Sequence, residues 1–185
     1  MKELKDKLKK YDFSGNGIDW ISGQEEKEPI KIIKKLALED KPAWANWIIH
    51  IELAEKEGNF DSRLKLAEYA AEKIVKFLEK EFPGEKKCRA LLKKSRVWLK
   101  NKNFINKVSI VKPTLEAKES LLKLGAGKNF IEWAKKLVSG VVQEGGGSQE
   151  PDTEWFSSIT TKNACREIET DVLDYGINLL EGDKK

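Results

Sequence analysis

The chain has 185 residues, with 35 Lys or Arg against 31 Asp or Glu and a net charge of +4, enough length for one domain, spanning 1–185, with a substantial core. No window approaches eighteen uninterrupted apolar residues, so no membrane span is expected. The opening MKELKDKLKK holds no apolar run of export-signal length and points to a soluble, cytoplasmic protein. Cys88 and Cys165 are far apart and lack CxxC spacing, so neither a disulfide framework nor a thiolate metal site is suggested and two buried structural thiols are expected.

Taken in chain order, the sequence is a series of helices divided by Pro, Gly and Asn. The strand candidate VSIV, Val108 to Val111, is short and runs into Pro113, so the expected fold is all-α, a multi-helix domain of about seven to nine helices. A short helix around Leu4 and Leu8 leads through SGNG to an apolar turn of Ile18, Trp20 and Ile21. Pro29 opens a helix carrying Ile30, Ile33 and Ala37. Asp40 is placed to cap the next helix, with Pro42 near its start and Gly58 at its end.

That helix contains PAWANWIIH. At about 100° per residue, Ala43, Trp44, Trp47, Ile48, Ile51 and Ala54 share one broad face, with Ile49 and Leu53 well round from it. A helix apolar on most sides is buried on most sides, so Trp44 and Trp47 are expected in the core, as is Trp98 further on. His50, the chain's single histidine, sits at the margin of the main face, where a hydrogen-bonded core-edge role is expected. It has no second histidine to form a metal pair and no recognisable catalytic partner.

The following helix, Asp61 to about Phe82, places Leu64, Ala67, Ala71, Ile74, Val75, Leu78 and Phe82 on one arc and ends at Pro83 and Gly84. After the turn, Cys88, Leu91, Leu92, Ser95, Trp98 and Leu99 form the inward side of a helix. Opposite them run Lys86, Arg89, Lys93, Arg96 and Lys100. Beyond Asn101 a loop reaches Pro113, a helix is expected from about Thr114 to Leu124, and another from Asn129. EGGGSQEPD marks a flexible loop at 143–152. The last helix, about Thr161 to Leu180, carries Cys165, Ile168, Val172, Tyr175 and Leu179.

Charge is segregated. From Lys86 to Lys107 there are nine Lys or Arg and no Asp or Glu, whereas Gln143 to Lys185 holds ten acidic residues against four basic. Like charges three or four apart on a helix repel, so the stripe of Lys86, Arg89, Lys93, Arg96 and Lys100 needs acidic neighbours or a ligand. Three readings stay open: a solvated or internally paired face, a surface for an acidic protein partner, and a nucleic-acid surface. GAGKN lacks the spacing and preceding strand of a phosphate loop, and GxSxG, HExxH and EF-hand patterns are missing. No catalytic residue, metal or cofactor is therefore assigned.

Four stretches, GIDWI, AWANWIIH, LAEYAAEKIVKFLEKEFPGEKKCRALLKKSRVWLKN and LDYGINLL, together resemble a group of helical, often alanine-rich bacterial proteins classed as immunity proteins of polymorphic toxin systems. The likeness covers mainly residues 15 to 100 and 168 to 181. It departs from that group at Lys87, Cys88 and Arg89, where the group tends to have a proline between two basic residues, and in the stretch Asn101 to Thr160, which replaces an alanine-rich middle. The resemblance implies a helical fold and a protein-binding role, with no catalytic residues.

Overall fold

The computed structural model describes residues 2–11, 15–55, 60–101, 116–117, 119–121, 134 and 159–182. Among them the fold is all-α, with no strand. Seven helices have defined bounds: α1 (Lys2–Lys10), α2 (Gly15–Ser22), α3 (Pro29–Leu38), α4 (Pro42–Glu55), α5 (Phe60–Glu81), α6 (Lys87–Lys100) and α7 (Ile159–Glu181). The helix expected from Thr114 is helical at 116–117 and 119–121. VSIV, GAGKN and the loop at 143–152 lie outside the described residues, as do the side chains of Trp98, Leu99 and Lys100.

The chain falls into two compact units. The first holds the described residues up to Ala67 and from Glu169 onward; the second holds those from Glu68 to 134 and from 159 to Ile168. In the first unit α3 packs on α4, and α1 meets both α2 and α4. Leu4 and Leu8 bury the apolar side of α1. Glu55 at the end of α4 fastens the end of that helix, accepting hydrogen bonds from the Lys10 ammonium at 2.8 Å and the Tyr11 hydroxyl at 2.7 Å.

Helix α4 is the centre of this unit. Every residue from Ala45 to Ile51 is buried, as is Leu53, which is the all-round burial its composition implies. The expected main face is shifted, however: Ala43 is exposed and Trp44 only half-buried, while Trp47 is buried. Helix α3 is turned as well. Its buried side is Ile32, Ile33 and Leu36, whereas Ile30 is half-buried and Ala37 exposed. Pro29 occupies its first turn after an extended Glu28 (φ −82, ψ 123), the position where the missing N–H costs nothing.

Asp40 differs from expectation in kind. Its φ is +59, and the N–H of Lys41 donates to the Leu36 carbonyl at 2.9 Å while its own N–H reaches the Ala37 carbonyl at 3.3 Å. That pair of bonds is a Schellman motif, so Asp40 closes α3. The first bond of α4, from Ala45 N–H, goes to the Lys41 carbonyl, which puts Lys41 at the cap position.

In α7 the buried line begins at Cys165, Ile168 and Val172 and continues through Leu173, Gly176, Ile177 and Leu180, leaving Tyr175 and Leu179 half-buried. The portion in the first unit crosses α4 closely at Gly176: a Cβ there would lie 2.8 Å from Ile49 Cγ2 and 3.5 Å from Leu66 Cδ1. Helix α5 likewise serves both units. Leu66 is buried in the first; Ala70, Ile74, Val75, Phe77 and Leu78 are buried in the second. The predicted arc missed Leu66, Ala70 and Phe77 and overvalued Leu64, Ala67, Ala71 and Phe82, which are half-buried.

Candidate functional site

The second unit contains the basic stripe. The chain turns at Pro83 and Gly84 and begins α6 with the help of Glu85, a side chain only 5% exposed. Glu85 Oε1 accepts hydrogen bonds from the backbone N–H groups of Lys87 at 2.5 Å and Cys88 at 3.0 Å. These are two of the otherwise unsatisfied donors at a helix start, and a carboxylate there also complements the helix dipole. Its other oxygen accepts from the Ser120 hydroxyl. A cavity of about 400 Å³ at this turn is lined by Glu81, Phe82, Pro83, Gly84, Glu85 and Ser120, but Glu85 is already committed to three donors. Cys88 and Cys165 are both buried, and neither is in a disulfide. Burial, then the nearby Glu85 and Glu79 carboxylates, pushes the Cys88 thiol up to about 12, so it is no nucleophile at neutral pH.

The stripe divides into two populations. Arg89 donates from Nε to Glu79 Oε1 at 2.8 Å, from Nη2 to Glu79 Oε2 at 2.6 Å, and from Nη1 to Glu72 Oε1 at 2.6 Å. Arg96 donates from Nε to Glu68 Oε1 at 2.6 Å and from Nη2 to Glu72 Oε2 at 3.0 Å. Glu72 thus bridges both arginines, and the hydrogen bond from Arg89 is the main reason its carboxyl is held below the usual carboxylate range. The Arg89 guanidinium is correspondingly raised by Glu79 and Glu72. The acidic neighbours that the stripe required come from α5, at positions one and two helical turns apart.

Lys86 and Lys93 are exposed, and neither takes part in an ion pair among the described residues. The same is true of Lys87 and Lys94. Between them Ala90 is exposed and Val97 is 56% exposed. At about 100° per residue, Ala90 and Val97 lie on one line along α6, with Lys86 and Lys93 on one side of it and Lys87 and Lys94 on the other. Sequence reasoning selected Lys86, Arg89, Lys93, Arg96 and Lys100 as one row. The structure brings Lys86 and Lys93 onto the outer face and turns Arg89 and Arg96 to its edge against α5. Lys87, Lys94 and Val97 were missed; the i, i+7 repetition of a lysine pair around alanine was the signal that would have found them.

His50 is buried in the first unit, 4% exposed. Neither ring nitrogen has a hydrogen-bond partner among the described residues, in contrast to the hydrogen-bonded core-edge role its position suggested. Burial, and secondarily the Arg63 cation, lowers it from 6.5 to about 4, so the ring is neutral at pH 7. Among the described residues no group of three or more His, Cys, Asp or Glu is placed to hold a metal ion, and no helix is long and apolar enough to cross a membrane.

Comparison with known proteins finds no family model, no curated protein and no solved structure that matches the chain.

Proposed function

We propose that this chain is a soluble, cytoplasmic protein-interaction module whose outer α6 face, centred on Lys86 and Lys93, receives an acidic protein surface. The observation that carries the reading is the division of the basic stripe. Arg89 and Arg96 are consumed by Glu68, Glu72 and Glu79, while the lysines stay exposed on a segment with no acidic residue from Lys86 to Lys107. Exposed charge of one sign on a helix, in no ion pair among the described residues, accelerates encounter with a partner of the opposite sign and discriminates against wrong ones. The resemblance to immunity proteins gives that partner a kind: a toxin, neutralised by occupation of its surface.

The test is co-expression with the product of the adjacent gene where that product arrests growth. The wild-type chain restores growth and binds the toxin; a variant carrying Lys86→Glu and Lys93→Glu, with unchanged helicity and melting temperature, binds more weakly and associates more slowly. Equal binding by the two proteins overturns the assignment of this face. The nucleic-acid reading predicts instead that the chain binds duplex DNA, with an affinity that falls steeply between about 50 and 200 mM salt.

A further inference from the structure

The geometry points to an amphipathic α-helix with acidic flanks as the element of the partner that α6 recognises, an inference that rests on the protein-binding reading above. The outer face has more structure than a patch of positive charge. Its midline is apolar and low, Ala90 and Val97, two helical turns apart. Each side of that line carries a pair of lysines with the same seven-residue repeat, Lys86 with Lys93 and Lys87 with Lys94. A helix laid along this line meets a small side chain at Ala90, where its backbone approaches closely, and an exposed branched one at Val97. Acidic residues on its two edges then fall beside lysines on both sides. This is the helix-on-helix mode of recognition, in which apolar anchors at helical spacing supply contact and flanking charges set orientation.

Other occupants fit less well. A second copy of α6 brings lysines against lysines. A nucleic-acid duplex gains from the four cations, but Ala90 and Val97 then face phosphates, and the two arginines, whose planar forks suit bidentate phosphate contacts, are already held by α5 carboxylates. An irregular acidic segment satisfies the lysines yet covers Val97 no better than water does.

The experiment uses the full chain, isotope-labelled for NMR, and a synthetic peptide of about three heptads with alanine and leucine at helical spacing and glutamate on both flanks. A peptide of identical composition and scrambled order is the control, and a duplex oligonucleotide the third ligand. The expected result is micromolar binding of the ordered peptide, in keeping with a small interface. Amide shifts should be confined to residues 86–97, and affinity should be at least about tenfold higher than for the scramble. Val97→Asp, at an exposed position, should keep the fold and cost about tenfold in affinity. Equal binding of the two peptides, or indifference to Val97→Asp while Lys87→Glu with Lys94→Glu weakens binding, overturns the helical partner and leaves the acidic-protein reading standing. Tighter binding of the duplex than of the ordered peptide overturns both. Failure of the ordered peptide to bind the folded chain overturns the helical partner.

Discussion

Ile49 occupies the space where any residue larger than glycine at position 176 would place its β-carbon, 2.8 Å from Ile49 Cγ2 and 3.0 Å from Cδ1. The missing side chain at Gly176 is what lets α7 approach α4. Gly176→Ala therefore forces atoms apart in a packed core and should destabilise the fold by about 1–3 kcal/mol, despite alanine's better helix propensity. Denaturant unfolding of Gly176→Ala, Ile49→Ala and the double variant checks the cause. The double variant should lose less than the sum of the singles, because Ile49→Ala removes both clashing carbons.

Glu72 joins two arginines, and only about a fifth of its side chain is exposed. Glu72→Gln keeps the shape, removes the charge and turns one of the two acceptor oxygens into an NH2 donor, leaving Arg89 and Arg96 to compete for a single weaker acceptor. The expected loss is about 1–2 kcal/mol, discounted for solvent access. Repeating the unfolding measurement in high salt should shrink the difference, since screening weakens the partly exposed pairs first.

His50 gives a stability change of definite sign with pH. Burial lowers it from 6.5 to about 4, so the unfolded chain binds more protons than the folded chain in that window. Stability is full above 6.5 and falls as the pH drops toward 4, by about 3 kcal/mol in total at 1.36 kcal/mol per unit. The lowered carboxyl of Glu72 adds a loss of the same sign at more acid pH. In His50→Leu the loss between 6.5 and 4 should largely disappear. Because neither ring nitrogen has a hydrogen-bond partner among the described residues, no described group is left orphaned at pH 7. An unchanged pH profile would show that His50 is not the titrating group.

Asp40 holds a left-handed backbone, φ +59, at the position where a Schellman motif favours glycine. Glycine removes a steric cost of about 1–2 kcal/mol and adds an entropic cost somewhat smaller. Asp40→Gly should raise stability by roughly 0.5 kcal/mol, visible as a small upward shift in Tm, whereas the β-branched Asp40→Val should lower it.

The all-α class and most helix positions were legible because helices write their period and their Pro and Gly boundaries locally. Which side of a helix faces inward was less so. Periodicity marked Ile74, Val75 and Leu78 of α5 correctly, but this helix contributes to two cores, and a search for a single arc leaves out Leu66 and Phe77. Gly176 reads as a weak helix former until Ile49 is seen beside it. Asp40 reads as a cap for the helix ahead because its type suits that role; its dihedral angle assigns it to the helix behind. For the candidate site, sequence identified a basic row on α6 and its need for compensation. Pairing is a property of two helices, so the acidic partners on α5 could not be picked out among the chain's many carboxylates, nor could the arginines be told from the lysines by function.

The carboxylate–guanidinium ladder also settles how α5 and α6 slide past each other. Apolar stripes tolerate displacement by a full turn, because one leucine-sized side chain replaces another. The ladder does not: Glu68 meets Arg96 and Glu79 meets Arg89, with Glu72 spanning the two, so the pairing runs in opposite order along the two helices. A shift of one turn would leave guanidinium forks without their carboxylates. The charges act as the teeth of a key, selecting one alignment of the antiparallel hairpin among several that greasy surfaces alone would accept, and every residue of the outer α6 face is thereby held at a fixed height along α5.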